Sequence, residues 1–226
     1  LGKYGGTSMV SSNEYCVIGL GAFGRALAVS LYERGHVVLG IDKDESLVNS
    51  YQDKLSQAMV ADATNEAAMQ AAGVKDYDYV IVAIGDHVED NILATQTVLD
   101  LGCKKVWSRA ETRRHANILS KLGVERVVDP ELEAAQRCAR ILSSRSVLDF
   151  IEFSPGFSLA QVIVGSTYNG KTLKEINFRK KFEASVIAIR RQDESIPIAS
   201  PDDIIYEGDV LFVAGTTEAV ETIERI

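Results

Sequence analysis

The chain has 226 residues, a hydrophobic content of 46% and a formal charge of -8, which suits one full α/β domain followed by a smaller one. The acidic balance argues against a nucleic-acid partner, because phosphate binding needs a basic face, and equally against an anionic lipid surface. No apolar run approaches the roughly 20 residues that span a bilayer. Leu1 to Ser12 is Gly/Ser-rich without an apolar core, so it does not read as a signal peptide and is set aside as disordered or a remnant outside the fold. The three cysteines, Cys16, Cys103 and Cys138, have neither the even number of a disulfide framework nor the spacing of a zinc site. The chain therefore reads as cytosolic.

Taken in order, short β-branched runs alternate with helical patterns. Strands are predicted at Tyr15 to Ile18, Val37 to Ile41, Gln57 to Val60, Tyr79 to Ala83, Lys105 to Ser108 and Arg126 to Val128. Helices are predicted to begin near Ala22, Glu45, Glu66, Val88, Thr112 and Pro130, the last with Asp129 as its N-cap and proline at the first helical position. Alternation of this kind predicts a Rossmann-like, doubly wound parallel sheet over residues 13–145, buried on both faces. The sixth helix fades at Ser143, Ser144 and Ser146, where the domain boundary is expected.

Residues 146–226 are predicted to form a small α+β domain. Its strands fall at Ser158 to Val164, Ala184 to Arg190 and Val210 to Ala214, with short helices at Lys171 to Ile176 and from Thr216. The polar stretch from Gln192 to Gly208, with Pro197 and Pro201, is expected to be loops between edge elements. So small a core predicts pairing with a second copy.

The chemistry concentrates at Gly19-Leu20-Gly21-Ala22-Phe23-Gly24, a G-x-G-x-x-G between a predicted strand and a predicted helix. Gly19 permits the tight turn, Gly21 the approach of a pyrophosphate and Gly24 close packing of helix on strand. The helix N-terminus adds free N–H groups and partial positive charge. Asp42 ends the second strand about 20 residues on, where a carboxylate accepts ribose hydroxyls. It disfavours a 2′-phosphate by repulsion, leaving NAD, NADH, ATP, ADP and AMP, while Lys43 beside it either tolerates extra negative charge or is simply solvated.

Catalytic candidates are few. His36 precedes a strand and reads as structural, His115 lies in a helical pattern and reads as surface, and His87 sits at a carboxyl strand end but reads as a solvated loop residue. No nucleophile–base or metal-ligand spacing is present, so binding without chemistry is favoured.

Val17 to Gly24, Gly40-Ile41-Asp42, Ala61-Asp62-Ala63-Thr64, Val80 to Gly85 and Val128-Asp129-Pro130-Glu131 together resemble the KTN/RCK nucleotide-binding domain. Gly170 to Leu173, Asn177-Phe178-Arg179, Ile187 to Ile189, Pro201 to Asp203 and Glu207-Gly208-Asp209 resemble the RCK C-terminal domain that accompanies it. The resemblance implies a cytosolic regulatory subunit of bacterial potassium uptake, pairing as homodimers in an octameric ring beneath a separate membrane-embedded pore subunit.

It also implies positions for the cofactor: diphosphate at Gly19, Gly21 and Gly24, with Ala22 and Phe23 between them, ribose at Asp42, adenine edge at Asp62, Ala63 and Thr64, and further contacts at Ala83, Ile84 and Gly85. Arg109 matches a basic position that reaches phosphate, or else pairs with Glu111 or Asp129. Glu131 matches a glutamate that helps hold Mg2+ or Ca2+ between two sites. Arg179 matches a phosphate contact for cyclic di-AMP, beside Lys180 and Lys181. Ala22 departs from the pattern, because Ktr-type subunits commonly carry arginine there against the terminal phosphate of ATP. The choice between ATP/ADP and NAD(H) therefore stays open, and an NAD-dependent oxidoreductase working through His87, or a regulator of another cation transporter or antiporter, stands as the alternative.

Overall fold

The computed structural model describes residues 12–85, 87–143, 147–221 and 223. The expectation for Leu1 to Ser12 and the fading of helix at Ser144 and Ser146 lie, apart from Ser12, outside those residues. By its packing the chain divides into two compact units, the first ending at Glu131 and the second beginning at Leu132.

In the first unit six parallel strands form one sheet: β1 (Glu14–Ile18), β2 (Val37–Asp42), β3 (Gln57–Val60), β4 (Tyr79–Val82), β5 (Val106–Arg109) and β6 (Arg126–Val128). Their spatial order is β3-β2-β1-β4-β5-β6. The order reverses between β1 and β4, and a crevice opens beyond the carboxyl ends of these two strands, where doubly wound sheets bind ligands. The connecting helices are α1 (Ala22–Glu33), α2 (Glu45–Tyr51), α3 (Glu66–Ala71), α4 (Val88–Asp100) and α5 (Arg113–Leu122).

Three of these helices start at a side-chain cap. Asp44 caps α2 by accepting from Ser46 and Leu47 N–H, Asn65 caps α3 through Ala68 N–H, and Thr112 caps α5 through His115 N–H. The apolar strands bury on both faces in two layers, one around Ile18, Ile41 and Met69, the other around Val17, Leu20 and Val38. This is why they read as nearly continuous hydrophobic runs.

Helix α6 (Pro130–Ser143) starts in the first unit and continues into the second. There an antiparallel sheet runs β10-β12-β8-β7 from β7 (Val147–Ser154), β8 (Phe157–Ile163), β10 (Ala184–Arg190) and β12 (Val210–Thr216). Two short strands, β9 (Lys171–Thr172) and β11 (Ile204–Ile205), pair with each other. The remaining helices are α7 (Leu173–Ile176), α8 (Phe178–Phe182) and α9 (Thr217–Glu221). Thr172 and Glu175 form a reciprocal capping box at α7, and left-handed Asn177, φ 51°, separates α7 from α8.

This core gathers on Phe150, Val162, Ile189, Leu211 and Val213. The strand β7, the helix α8 and the pairing of Ile204–Ile205 inside the stretch expected to be loop are additions to the sequence reading.

Candidate functional site

The chain turns sharply as it leaves β1. Gly19 has φ +93°, and a Cβ there would lie 2.9 Å from the Ile84 nitrogen. A Cβ on Gly24 would come within 1.8 Å of the Gly19 carbonyl oxygen, so Gly24 is what allows α1 to seat against the turn. Around Gly21 the opposite holds: a Cβ would meet nothing within 4 Å. The protein has no packing need for a glycine at that position, and the space beside it belongs to the cleft.

Helix α1 opens at Gly21, and its first amide groups have no acceptor within the helix. Unlike α2, α3 and α4, its first turn carries no acidic residue, so no side chain of its own first turn offsets its positive end. An anion-binding end thus faces the crevice.

That crevice has a volume of about 460 Å³ and lies entirely within the first unit. Of the residues singled out from the sequence, Gly19, Gly21, Ala22, Asp42, Lys43, Asp62, Ala63, Thr64, Ala83, Ile84, Gly85, Arg109 and Glu131 all line it. Phe23 and Gly24 do not: Phe23 packs on the core around Val17, and Gly24 is buried behind the turn. Arg179 belongs to the second unit, exposed on α8 with Phe178 buried beneath it. Ile18, Ile41, Leu47, Ala61, His87 and Asp90 complete the lining. Ile18, Ile41 and Ala61 were missed because a residue at a strand end reads as core, and Leu47 because it reads as the packed face of α2.

The polar groups of the cleft are held in place by one another. Asp42 accepts from Leu20 N–H at 2.6 Å and from Asp44 N–H at 2.9 Å, so it braces the glycine turn as well as facing the cleft. Asp62 accepts from both the N–H and the hydroxyl of Thr64, and these two bonds hold its carboxyl below the ordinary carboxylate range. Lys43, with its side chain 62% exposed, pairs with Asp90 at 2.9 Å, which raises its pKa.

Arg109 pairs with Glu131 at 2.6 Å, rather than with Glu111 or Asp129 as the sequence suggested. Its side chain is only 14% exposed, and it lies over Gly85, where a Cβ would be 1.9 Å from Nη1. Glu131 is 63% exposed, and among the described residues no group of three or more His, Cys, Asp or Glu converges. Mg2+ and Ca2+ take six or more oxygen ligands, so one exposed carboxylate already facing a guanidinium does not make such a site within one chain.

Two histidines conform to their reading and one does not. His36 packs edge-on against Tyr15, and His87 is exposed at the start of α4. His115, expected at the surface, is 2% exposed and hydrogen-bonds Asn91. Its helix is polar in sequence, and its buried hydrogen-bond partner comes from α4, which sequence spacing does not reveal.

The TrkA-N domain family matches residues 15–130, half of the chain, and the TrkA-C domain family matches residues 159–226. The chain belongs to the TrkA-N family. It is 34% identical over 212 residues to Ktr system potassium uptake protein C of Bacillus subtilis, covering 94% of this chain and 96% of that one. To Ktr system potassium uptake protein A of Vibrio alginolyticus it is 34% identical, over 89% and 92% of the two chains. Among solved structures the GsuK RCK domain superposes with a TM-score of 0.67 at 19% identity, and the GsuK channel bound to NAD with 0.64 at 18%. Those superpositions span 96% and 93% of this chain, but only 48% and 38% of the GsuK chains. At such identity the likeness establishes the RCK fold. No helix among the described residues is long and apolar enough to cross a membrane.

Proposed function

We propose that the first-unit cleft binds an adenine nucleotide and that its occupancy regulates a separate membrane protein that conducts potassium. The observation that carries this reading is the convergence of the glycine turn, the N-terminus of α1, Asp42 and Asp62–Thr64 on one cleft. Support comes from the names of the relatives, potassium uptake proteins of Ktr systems, and from the GsuK channel whose structure holds NAD.

The adenine edge lies at Asp62, Ala63 and Thr64, the ribose at Asp42 and the diphosphate at Gly19 and Gly21. The distal part of the ligand reaches Ile84, Gly85 and Arg109. No reaction is assigned, because the charged side chains of the cleft are occupied in pairs and with backbone amides, and His87 is exposed. A nucleotide that fits one conformation better than another shifts their populations by its differential affinity alone.

The subunit acts as a homodimer within an octameric ring, peripheral on the inner face of the membrane, with domains bounded at 13–145 and 146–226. Exposed Arg179, Lys180 and Lys181 in the second domain take an anionic second ligand of the cyclic di-AMP kind.

Calorimetry with NAD, NADH, ATP, ADP, AMP and NADP tests this reading. Binding of adenine nucleotides with rejection of NADP is expected. Asp42→Asn keeps an oxygen for Leu20 N–H but removes the charge, and is expected to weaken binding at least tenfold, the ordinary size of losing a charge-assisted hydrogen bond. No binding by the unaltered protein, or unchanged affinity in Asp42→Asn, would overturn it.

A further inference from the structure

We propose that Asn91 is a positioning residue that sets the distal wall of the cleft, the part formed by Ile84, Gly85 and Arg109; this rests on the nucleotide reading above. Asn91 lies in α4 and is completely buried. Its Nδ2 donates to the carbonyl of Ile84 at 2.7 Å and to that of Arg109 at 3.1 Å. Its Oδ1 accepts from Ser108 Oγ and from His115 Nε2, each at 3.1 Å. A side-chain amide has two N–H donors and two acceptor lone pairs, and all four are used.

The partners fix which way the amide points. Glu111 N–H donates to His115 Nδ1 at 3.3 Å, so the ring proton sits on Nε2 and Asn91 must present its oxygen to it. With the Ser108 hydroxyl hydrogen given to Asn91, Thr95 Oγ1 is the donor in its 3.0 Å bond to Ser108. The amide nitrogen is left facing the two carbonyls and no other arrangement satisfies the set.

Those carbonyls lie just past the last pair between β4 and β5. The β4–β5 ladder stops at the pair Val82 and Ser108, and beyond it Asn91 bridges the two segments through its Nδ2 instead of a backbone amide. Arg109 carries the guanidinium that covers Gly85. The opposite wall hangs on β2 and β3, through Asp42 and Asp62, and has no bond to Asn91. Removing the bridge therefore disturbs one end of the bound ligand and spares the other.

The test is calorimetry on the full chain with AMP, ADP and NAD, comparing the unaltered protein with Asn91→Asp, which keeps the oxygen and the size but loses both donors. Loss of buried hydrogen bonds predicts NAD binding weakened about tenfold or more, with AMP and ADP affinity within about threefold of the unaltered protein. Should Asn91→Asp fail to fold, Ser108→Ala removes one donor to Oδ1 and is expected to give the same split in milder form. His115→Gln, which retains an N–H for Asn91, is expected to preserve all three affinities. An equal loss for the three ligands, or no loss for any, would overturn the proposal. If the unaltered protein bound none of the three, the nucleotide reading would fall and this inference with it.

Discussion

At Gly21 and Gly24 the same residue type answers to different constraints, and the two separate cleanly by substitution. Gly24→Ala drives a methyl group into the Gly19 carbonyl, so we expect a loss of about 1–3 kcal/mol in urea unfolding, the usual range for overpacking. Gly21→Ala meets no atom within 4 Å at φ -60°. Its stability is expected to stay within about 1 kcal/mol of the unaltered protein, while nucleotide affinity falls because the methyl enters the cleft. Equal effects of the two substitutions on stability would contradict this division. A glycine motif in sequence announces both roles at once and does not say which glycine serves which.

At the scale of elements, the buried network between α4, α5 and β5 gives a pH signature. Burial lowers the pKa of His115 below its ordinary value of 6.5. The unfolded chain then binds the proton more readily than the folded one, so stability is complete above pH 6.5 and declines as pH falls from there toward the lowered folded value. Thermal midpoints at pH 7.5 and 5.5 are expected to differ more for the unaltered protein than for His115→Gln.

In the second unit Asp209 is 2% exposed and accepts from Arg191 at 2.6 Å and from Tyr206 N–H at 2.9 Å. Asp209→Ala leaves Tyr206 N–H without its acceptor and the Arg191 guanidinium with only the Ile204 carbonyl, and is expected to cost about 3 kcal/mol by circular dichroism in urea. Asp209→Asn, retaining an acceptor for Tyr206 N–H, is expected to cost less.

The parallel strands and their helices were legible almost to the residue, because buried β-branched runs and side-chain caps are local signals. Strand β7 was not. Its pairing with β8 shifts register between Val147 and Asp149 and again between Glu152 and Ser154, and such irregularities erase the alternation by which a half-buried strand is recognised. Nor was the Asn91 hub legible, since its partners at positions 84, 108, 109 and 115 share no sequence period.

On the scale of the whole molecule, the two units have separate cores, and the chain carries one natural reporter for the first. Its single tryptophan, Trp107, lies on β5 beneath the Arg126 guanidinium. Tryptophan fluorescence in urea should follow the first unit, whereas circular dichroism follows both, so the two transitions are expected not to coincide. A nucleotide at 100 times its Kd adds about 2.7 kcal/mol to the state that binds it and should move the fluorescence midpoint upward.

The two-domain order and the ligand class were visible in the sequence through motif succession, but the ion pairs that close the cleft, Lys43 with Asp90 and Arg109 with Glu131, join residues from different βα units and needed the fold. The open space at Gly21 bears on descent as well as on binding. In a lineage where the cleft fell out of use, Gly19 and Gly24 would persist because the fold itself requires them, and Gly21 would be the first of the three to drift, so its identity in any descendant records whether the cleft is still occupied.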